Sequence, residues 1–316
     1  MSEPSRKKAW LVWILRVAGT VIVLGLLFYI LPFNELWRTM RRISPGTWLT
    51  VLAACIALQG VAIIKWRMMV NLAGAGLDHV QAARCLFAGL FGNLFLPSMV
   101  GGDIVRAGLA LRLGKSKAGV LLGSLLDRML DMVALATVAG MGALLIPGHL
   151  DPQLARLFWM ALGVLAVGSI GGLAMVWLAL RRRFSFRIRR KLVRLRTAGR
   201  KMSRAPGRVL LAWVLGVTFQ TSLVALMTRV AAECGLFVPF AGWLFAYPMA
   251  KLAALVPVTQ GGIGVREAAL AVLLKPFGAP AVLTVAAGLV WQTIIISTAL
   301  IGGLFVFVSG RIGNKS

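Results

Sequence analysis

The sequence predicts an all-helical protein that crosses a membrane several times. Of its 316 residues, 59% are hydrophobic and only 14% are charged, and the mean hydropathy is +0.87. Soluble domains are roughly half apolar and a quarter charged. Several uninterrupted apolar runs approach or exceed the ~20 residues that a helix needs to span a bilayer, and they lack the alternation of a transmembrane β-barrel. A polytopic helical membrane protein is therefore expected.

Six apolar segments have the length of a full transmembrane helix. They cover residues 10–31, 46–64, 118–146, 153–180, 209–231 and 280–308. Pro32 ends the first segment, Lys65 and Arg67 end the second, and Pro147 ends the third. The N-terminal stretch is too long for a signal peptide and has no small-residue cleavage site, so we predict that it is a retained first span.

Two further apolar segments, residues 80–113 and 239–276, are each interrupted by a proline followed by a glycine pair. Proline removes a backbone donor and glycine loosens a helix, so neither segment is predicted to be one continuous helix. Irregular backbone at membrane depth is tolerated only where it is buried in protein or lines a wet cavity. We therefore predict two re-entrant helical hairpins whose tips lie inside the membrane, with breaks at Pro97, at Pro257 and at Gly264.

A shift of 160 residues superimposes the two breaks. Between residues 96–114 and 256–274, six of nineteen positions are identical, namely Pro97/Pro257, Gly101/Gly261, Gly102/Gly262, Val105/Val265, Arg106/Arg266 and Leu113/Leu273. Each half of the chain, 1–150 and 151–316, then consists of two spans, a hairpin and a span, in opposite orientations. This is an inverted-topology repeat, in which transporters place the substrate near the midplane between the repeats.

Basic residues set the predicted orientation. The chain has 35 Lys and Arg against 9 Asp and Glu, a net charge of +26, and residues 181–208 hold thirteen Lys or Arg and no acid. Cytoplasmic loops collect such residues, so this loop and both termini are assigned to the cytoplasmic side of a prokaryotic inner membrane. The arginines of 32–43 oppose this assignment, and we interpret that segment as an interfacial helix. The 181–208 loop is either a helix lying on anionic lipid or a topology determinant, and nucleic acid is not an expected partner.

Charges inside a bilayer are costly, so the intramembrane arginines are functional candidates. Arg106 and Arg266 follow the two glycine pairs, where a helix N-terminus attracts anions. Facing each other, they would form a cationic cup that fits a phosphate, as in a phospholipid or a polyprenyl phosphate. The remaining candidates for substrate binding are the polar or glycine residues beside the arginines, Gly101, Gly102, Gly261, Gly262, Asn93 and Gln260. Alternatively, the arginines pair with neighbouring acids only to hold the hairpins.

Acidic residues near the hairpins are candidates for coupling or counter-charge. Asp127 and Asp131 are four residues apart and share one face of a helix with Ser124. They are predicted to share a proton or to serve an ion-coupled cycle, and the alternative is that Asp127 reaches cytoplasmic water. Asp103, Arg128 and Glu267 complete this group. We identify no catalytic motif, cofactor site or metal site, and the cysteines Cys55, Cys85 and Cys234 are expected to be small buried hydrophobes.

The motifs LPSMVGGDIVR and VPVTQGGIGVRE, with an Asp-Arg-x-x-Asp helix between them, resemble the flippase-like family that includes the transmembrane region of lysylphosphatidylglycerol synthases. The resemblance covers nearly the whole chain and implies a role in handling lipids, in some members the movement of aminoacylated phospholipid. It carries over the motif residues Pro97, Gly101, Gly102, Asp103, Arg106, Asp127, Arg128, Asp131, Pro257, Gly261, Gly262, Gly264, Arg266 and Glu267. The synthases add a soluble aminoacyl-transfer domain, whereas this chain stops at Ser316, so lysyl transfer is not expected.

Three functions are compared. The first is a flippase or transporter for an anionic or phosphate-bearing lipid, whose headgroup lies between the hairpin tips. The second is a membrane-embedded enzyme that modifies lipids, in which Asp127 and Asp131 would hold a divalent ion. The third is a scaffold that binds lipid without transporting it, through the basic 181–208 loop. The membrane lipids themselves are the expected partners, and the many small residues allow a homodimer.

Overall fold

The protein is described here by a computed structural model that covers residues 33–96, 101–146, 204–254 and 259–312, with a few single positions between 25 and 163. Within these ranges the chain is helical and contains no β-strand. The helices, numbered in chain order, are α1 Phe33–Met40, α2 Pro45–Leu72, α3 His79–Phe95, α4 Gly101–Leu113, α5 Lys117–Leu145, α6 Pro206–Glu233, α7 Phe240–Ala253, α8 Val265–Leu274 and α9 Ala281–Ile312. Short 3₁₀ turns at Gln260–Gly262 and Lys275–Phe277 flank α8.

Four helices are long and apolar enough to cross a membrane: α2, α5, α6 and, over Ala281–Gly310, α9. They have 28 to 30 apolar-rich residues, about 42–45 Å at 1.5 Å per residue, which exceeds the ~30 Å hydrocarbon core. These helices contain or overlap four of the predicted spans, so the prediction of an all-helical membrane protein is confirmed. Apart from a few single positions, the predicted spans 10–31 and 153–180 lie outside the described residues, as do the boundary between the halves and most of the 181–208 loop.

Local sequence signals explain where several helices begin. The side chains of Ser44 and Ser116 accept hydrogen bonds from backbone amides in the first turns of α2 and α5. Asp78 and Gln81 form a reciprocal capping box at the start of α3. Such caps satisfy amides that have no partner within the helix.

The same kind of turn leads into the packed helix pairs α3–α4 and α7–α8, which are named the first and second hairpin below. At the end of α2, the Ala75 amide donates to the Val70 carbonyl at 2.9 Å, and at the end of α6 the Leu236 amide donates to the Ala231 carbonyl at 2.9 Å. The residues at the reversal, Gly74 and Gly235, have φ values of 95° and 80°. These are Schellman turns, in which a left-handed glycine lets the chain leave the helix. Helices α3 and α7 therefore start from equivalent helix ends.

The helix pairings of one half recur in the other. Helix α3 packs against α4, as α7 packs against α8, and α5 packs against α7, as α9 packs against α3. Four further contacts correspond in the same way: α2–α5 with α6–α9, α5–α6 with α9–α2, α2–α3 with α6–α7, and α4–α5 with α8–α9. Helices α2 and α6 pack against each other at the centre. Each hairpin is thus held mainly by the last long helix of the opposite half.

Glycines allow two of these corresponding crossings to be close. A Cβ on Gly142 of α5 would overlap the backbone of Phe245 in α7, and a Cβ on Gly302 of α9 would overlap the ring of Phe87 in α3. Gly142 and Gly302 are 160 residues apart, the period of the sequence repeat. Small residues let membrane helices approach closely, and Gly142 and Gly302 do so at corresponding crossings.

The largest buried cluster joins the two halves around α7. Trp243, Phe245 and Tyr247 of this helix pack with residues of α2, α5, α6, α8 and α9. All three cysteines are free and buried, as predicted. The predicted interfacial segment 32–43 is helical over α1, where Leu36 packs on α9 and Trp37 is about half exposed. The exposed ring of Trp37 lies under the guanidinium of Arg41.

Candidate functional site

A cavity of about 270 Å³ lies between the two halves, and helices α2 to α9 all contribute to its wall. Its charged lining consists of five cations and three acids, namely Lys65, Arg106, Arg128, Lys251, Arg266, Asp103, Asp127 and Asp131. The uncharged polar residues of the wall include Gln59, Asn93, Gln220 and Tyr247. The rest is largely apolar, with leucines, Met132, Phe219 and Ile295. The two repeated arginines therefore reach one common cavity.

Lys65 is the centre of a buried ion-pair cluster between α2 and α5. Its ammonium contacts Asp127 and lies 3.0 Å from Asp131 Oδ1. The side chains of Lys65 and Asp127 are 4% and 1% exposed. The sequence suggested that Lys65 ends the second span, but α2 continues to Leu72. The difference arises because two carboxylates neutralise this lysine inside the protein, so its charge does not require water.

Asp127 and Asp131 lie on one face of α5, as predicted, and this face is turned toward α2. Ser124, one turn earlier on the same face, accepts a hydrogen bond from Trp66 Nε1 at 3.3 Å. The Lys65 ammonium lies between the two carboxylates and contacts both of them. A divalent ion bound by the two acids, as the enzyme alternative requires, would have to displace Lys65.

The first hairpin is tied to α5 through Asp103. Arg106 Nη2 lies 3.1 Å from Asp103 Oδ1 and 3.6 Å from Asp127 Oδ2. Arg128 Nε lies 3.3 Å from Asp103 Oδ2. The Arg106 guanidinium also stacks over Trp66, 5.1 Å from the ring centre, an arrangement favourable for a cation. The alternative expectation, that Arg106 pairs with Asp103 or Asp127, therefore describes its contacts in this structure.

The second hairpin holds its arginine locally. Arg266 Nη2 donates to Glu267 Oε1 at 2.7 Å and to Gln292 Oε1 of α9 at 2.8 Å. The Glu267 side chain is fully buried. Tyr247, which lines the cavity beside these groups, accepts a hydrogen bond from Trp291 Nε1 at 3.0 Å. Arg266 is thus fixed at the cavity wall by its neighbour in sequence and by α9.

Lys251, in the last turn of α7, has a different environment. Its ammonium donates to Gln220 Oε1 of α6 at 3.0 Å. Among the described residues, no carboxylate lies within 4 Å of this ammonium. Lys251 faces the cavity together with Arg266 and Gln220.

The chain itself occupies backbone amides at both predicted anion-binding helix ends. The Gly102 amide donates to Asn93 Oδ1 at 2.8 Å, and the Gly264 amide donates to Glu267 Oε2 at 2.7 Å. Asn93 and Glu267 therefore act as caps in this structure. One amide at each helix end is therefore already bonded within the protein, and the charged side chains of the wall offer further groups to an anionic ligand.

The glycine pairs adopt two conformations. Gly101 and Gly102 lie in the first turn of α4 and are buried, whereas Gly261 and Gly262 have φ values of 61° and 76° before α8 begins. Pro97 and Pro257 lie outside the described residues. The backbone of Gln260 is in a 3₁₀ turn, and its side chain is not among those described.

Sequence reasoning did not assign three cavity residues, Lys65, Gln59 and Tyr247. The spacing of Gln59 and Lys65 on α2 gives little indication of a site, because Lys65 lies at the polar end of an apolar run. A signal for Lys65 does exist in the two acids on one face of α5, Asp127 and Asp131, since carboxylates inside a membrane protein require cations. Tyr247 lies within a continuous apolar segment, and only the fold places its hydroxyl at the cavity.

Two comparisons with known proteins bear on this site. A family model described as the lysylphosphatidylglycerol synthase TM region matches residues 13–303. A membrane protein of Methanothermobacter thermautotrophicus, named UPF0104 membrane protein, is 22% identical over 312 aligned residues, which cover 88% of this chain and 87% of the relative. The match therefore extends over both hairpins and the cavity between them.

Proposed function

The chain belongs to the family of the lysylphosphatidylglycerol synthase TM region, and from this premise we propose that it is a lipid flippase. Its substrate is an anionic or phosphate-bearing lipid, such as a phospholipid, an aminoacylated phospholipid or a polyprenyl phosphate. The headgroup enters the cavity between the hairpins while the acyl or prenyl chains stay in the bilayer. The protein performs no covalent chemistry on the lipid.

One observation carries this proposal: a single cavity receives a cation from each of the two repeated motifs, Arg106 and Arg266. Guanidinium groups bind phosphate through paired hydrogen bonds. The apolar part of the wall suits the glycerol or prenyl segment next to the phosphate. Small-molecule sites are usually pockets of this kind, with mostly apolar walls and a few polar groups, and they occur between packed helices.

The carboxylate partners of the arginines favour transport over permanent binding. In this structure Arg106 contacts Asp103, and Arg266 contacts Glu267. A phosphate that approaches either arginine competes with the carboxylate that already compensates it, so the empty cavity leaves neither arginine without an opposite charge and the headgroup is bound less tightly than by a free guanidinium. A flippase needs such a balance, because it has to release the headgroup on the opposite side.

The proposed architecture is six spans and two re-entrant hairpins in an inverted-topology repeat. The corresponding helix pairings of the two halves and the matched turns before α3 and α7 support this arrangement. In such repeats, alternating access arises when one half moves against the other around a central site. The proposal includes a prokaryotic cytoplasmic membrane with both termini on the cytoplasmic side, and a homodimer is compatible with it.

Lipid translocation in proteoliposomes tests the proposal. Headgroup-labelled anionic phospholipids are quenched from outside, and wild type is compared with Arg106→Ala, Arg266→Ala and the control Arg112→Ala. Arg112 is in the same helix as Arg106 but is exposed and does not line the cavity. We expect fast movement in wild type and Arg112→Ala, and loss of movement in the two cavity variants although they remain folded.

Normal movement in both cavity variants would contradict the phosphate-binding role of the arginines. An absence of movement with anionic phospholipids and with polyprenyl phosphate would contradict the flippase and favour the scaffold. The same assay with and without a pH gradient tests coupling through Asp127 and Asp131. A rate that changes with the gradient in wild type, and not in Asp131→Asn, is expected for a proton-coupled cycle.

A further inference from the structure

The charges around the cavity are compensated unequally in the two halves. On the side of the first hairpin, Lys65, Arg106 and Arg128 are within ion-pair distance of Asp103, Asp127 and Asp131. Three cations and three carboxylates leave this cluster formally neutral. It holds α2, α4 and α5 together without an external ion.

Among the described residues around the cavity, the side of the second hairpin carries one positive charge in excess. Glu267 balances Arg266, whereas Lys251 has the amide oxygen of Gln220 as its hydrogen-bond acceptor. A neutral amide accepts the bond without cancelling the charge. A charge removed from water costs several kcal/mol unless an opposite charge is near, so an anion in the cavity is stabilised most strongly beside Lys251.

We infer that Lys251 is the primary anion-binding residue of the cavity and that its ligand is a headgroup with a single negative charge, a phosphodiester without an amine. The inference rests on the proposed lipid transport and specifies its substrate class. One charge matches the one excess cation of the described wall. A zwitterionic or cationic headgroup would bring a further ammonium into the cavity, and a dianionic phosphate monoester would exceed the available positive charge.

Geometry agrees with this assignment. An ammonium group has three N–H donors, and the hydrogen bond to Gln220 uses one of them. Arg266, also on the cavity wall, is oriented by Glu267 and Gln292 and offers a second cation to the same phosphate. The cavity volume of about 270 Å³ is slightly below the range of small-molecule sites, which is roughly 300–1,000 Å³. This volume suits a headgroup and not a whole lipid.

The test compares Lys251→Gln, Lys251→Arg and the control Lys275→Gln in proteoliposomes. Lys275 is exposed and lies outside the cavity wall. Labelled phosphatidylglycerol, phosphatidylethanolamine and lysylphosphatidylglycerol are the three substrates, because all contain a phosphodiester but differ in net charge. Binding of unlabelled phosphatidylglycerol to the purified protein in nanodiscs is measured in parallel, with and without the soluble diester glycerophosphoglycerol as competitor.

Wild type and Lys275→Gln are expected to move phosphatidylglycerol faster than the other two lipids. Lys251→Gln is expected to lose about tenfold or more of phosphatidylglycerol binding and movement, as for the loss of a charged hydrogen bond. Lys251→Arg keeps most of both. Competition by glycerophosphoglycerol would show that the protein recognises the diester itself, and a lack of competition would show that it recognises the headgroup only within the lipid. In both cases phosphatidylglycerol binding has to depend on Lys251.

Wild-type binding and movement of phosphatidylglycerol by Lys251→Gln would overturn the inference and leave the flippase intact. Preference of wild type for lysylphosphatidylglycerol would also overturn it, and this result does not depend on any variant folding. If phosphatidylglycerol binds in a Lys251-dependent way but no lipid moves, the anion site stands and the proposed transport is wrong.

Discussion

The two hairpins share the motif of a proline, a glycine pair and an arginine, yet each uses the shared residues differently. In the first hairpin the glycine pair is already helical and lets two helices touch: a Cβ on Gly102 would overlap the Gly89 carbonyl oxygen in α3 and the Asn93 side chain. In the second hairpin Gly261, Gly262 and Gly264 all have positive φ, and α8 begins only afterwards. One sequence pattern thus supports close packing in one place and a left-handed turn in the other.

The repeated arginines differ in the same way. Arg106 connects its hairpin to α5 through Asp103 and Asp127. Arg266 is bonded to the adjacent Glu267 and to Gln292 of α9. The corresponding segments thus agree in where the helices of each hairpin begin and end and in bringing an arginine to the cavity, whereas the partners that hold this arginine differ.

The largest effect is expected from Asp127→Asn. Asp127 is buried and contacts both Lys65 and Arg106, so its loss leaves buried cations without full compensation, at a cost of about 3–5 kcal/mol. The loss of stability is measured by heating the detergent-purified protein and monitoring the fraction that stays folded by size-exclusion chromatography. The same change at Asp78, an exposed cap of α3, is the control, because Asn caps a helix about as well as Asp. Similar stability of the two variants would show that the charge cluster contributes little.

Gly102→Ala tests the close packing of the first hairpin. The new methyl group would meet the backbone oxygen of Gly89, which cannot move aside as a side chain can, and overpacking of this kind costs about 1–3 kcal/mol. Gly108→Ala is the matched control in the same helix, since nothing lies within 4 Å of its Cβ position. We expect a lower unfolding temperature only for Gly102→Ala. A neutral result at both positions would mean that α3 and α4 separate easily.

Gly261→Ala tests the left-handed turn of the second hairpin. No atom lies within 4 Å of its Cβ position, and its φ is 61°, so the expected cost is conformational, about 1–2 kcal/mol for an L-residue in this region. Gly261→Asn is expected to recover part of the stability, because Asn tolerates left-handed backbone better than Ala. Thermal unfolding of the two variants side by side measures the difference. Equal losses would indicate a steric or ligand-related role for this glycine instead.

Much of this arrangement follows from the sequence because it depends on local composition. Long apolar runs located α2, α5, α6 and α9, and the four-residue spacing placed Asp127 and Asp131 on one face. Partners across helices are not encoded locally. Lys65 has the position of a residue that ends a span, and only the packing of α2 on α5 brings it to two carboxylates. Lys251 lies within an apolar segment of the sequence, and its hydrogen bond to the Gln220 amide oxygen depends on the α6–α7 contact.

The smallest stability effect is expected at Asn93, and it separates capping from ligand binding. Asn93 Oδ1 accepts the Gly102 amide, and Asn93→Ala removes this cap at a cost of about 1 kcal/mol. Asn93→Asp keeps the acceptor and the stability but adds a negative charge to the cavity wall. In the transport assay, Asn93→Asp is therefore expected to move an anionic lipid more slowly than Asn93→Ala does, although Asn93→Asp is the more stable variant. If both variants move the lipid at rates that simply follow their stability, Asn93 acts only as a cap, and the headgroup binds farther from the first hairpin, nearer to Lys251 and Arg266.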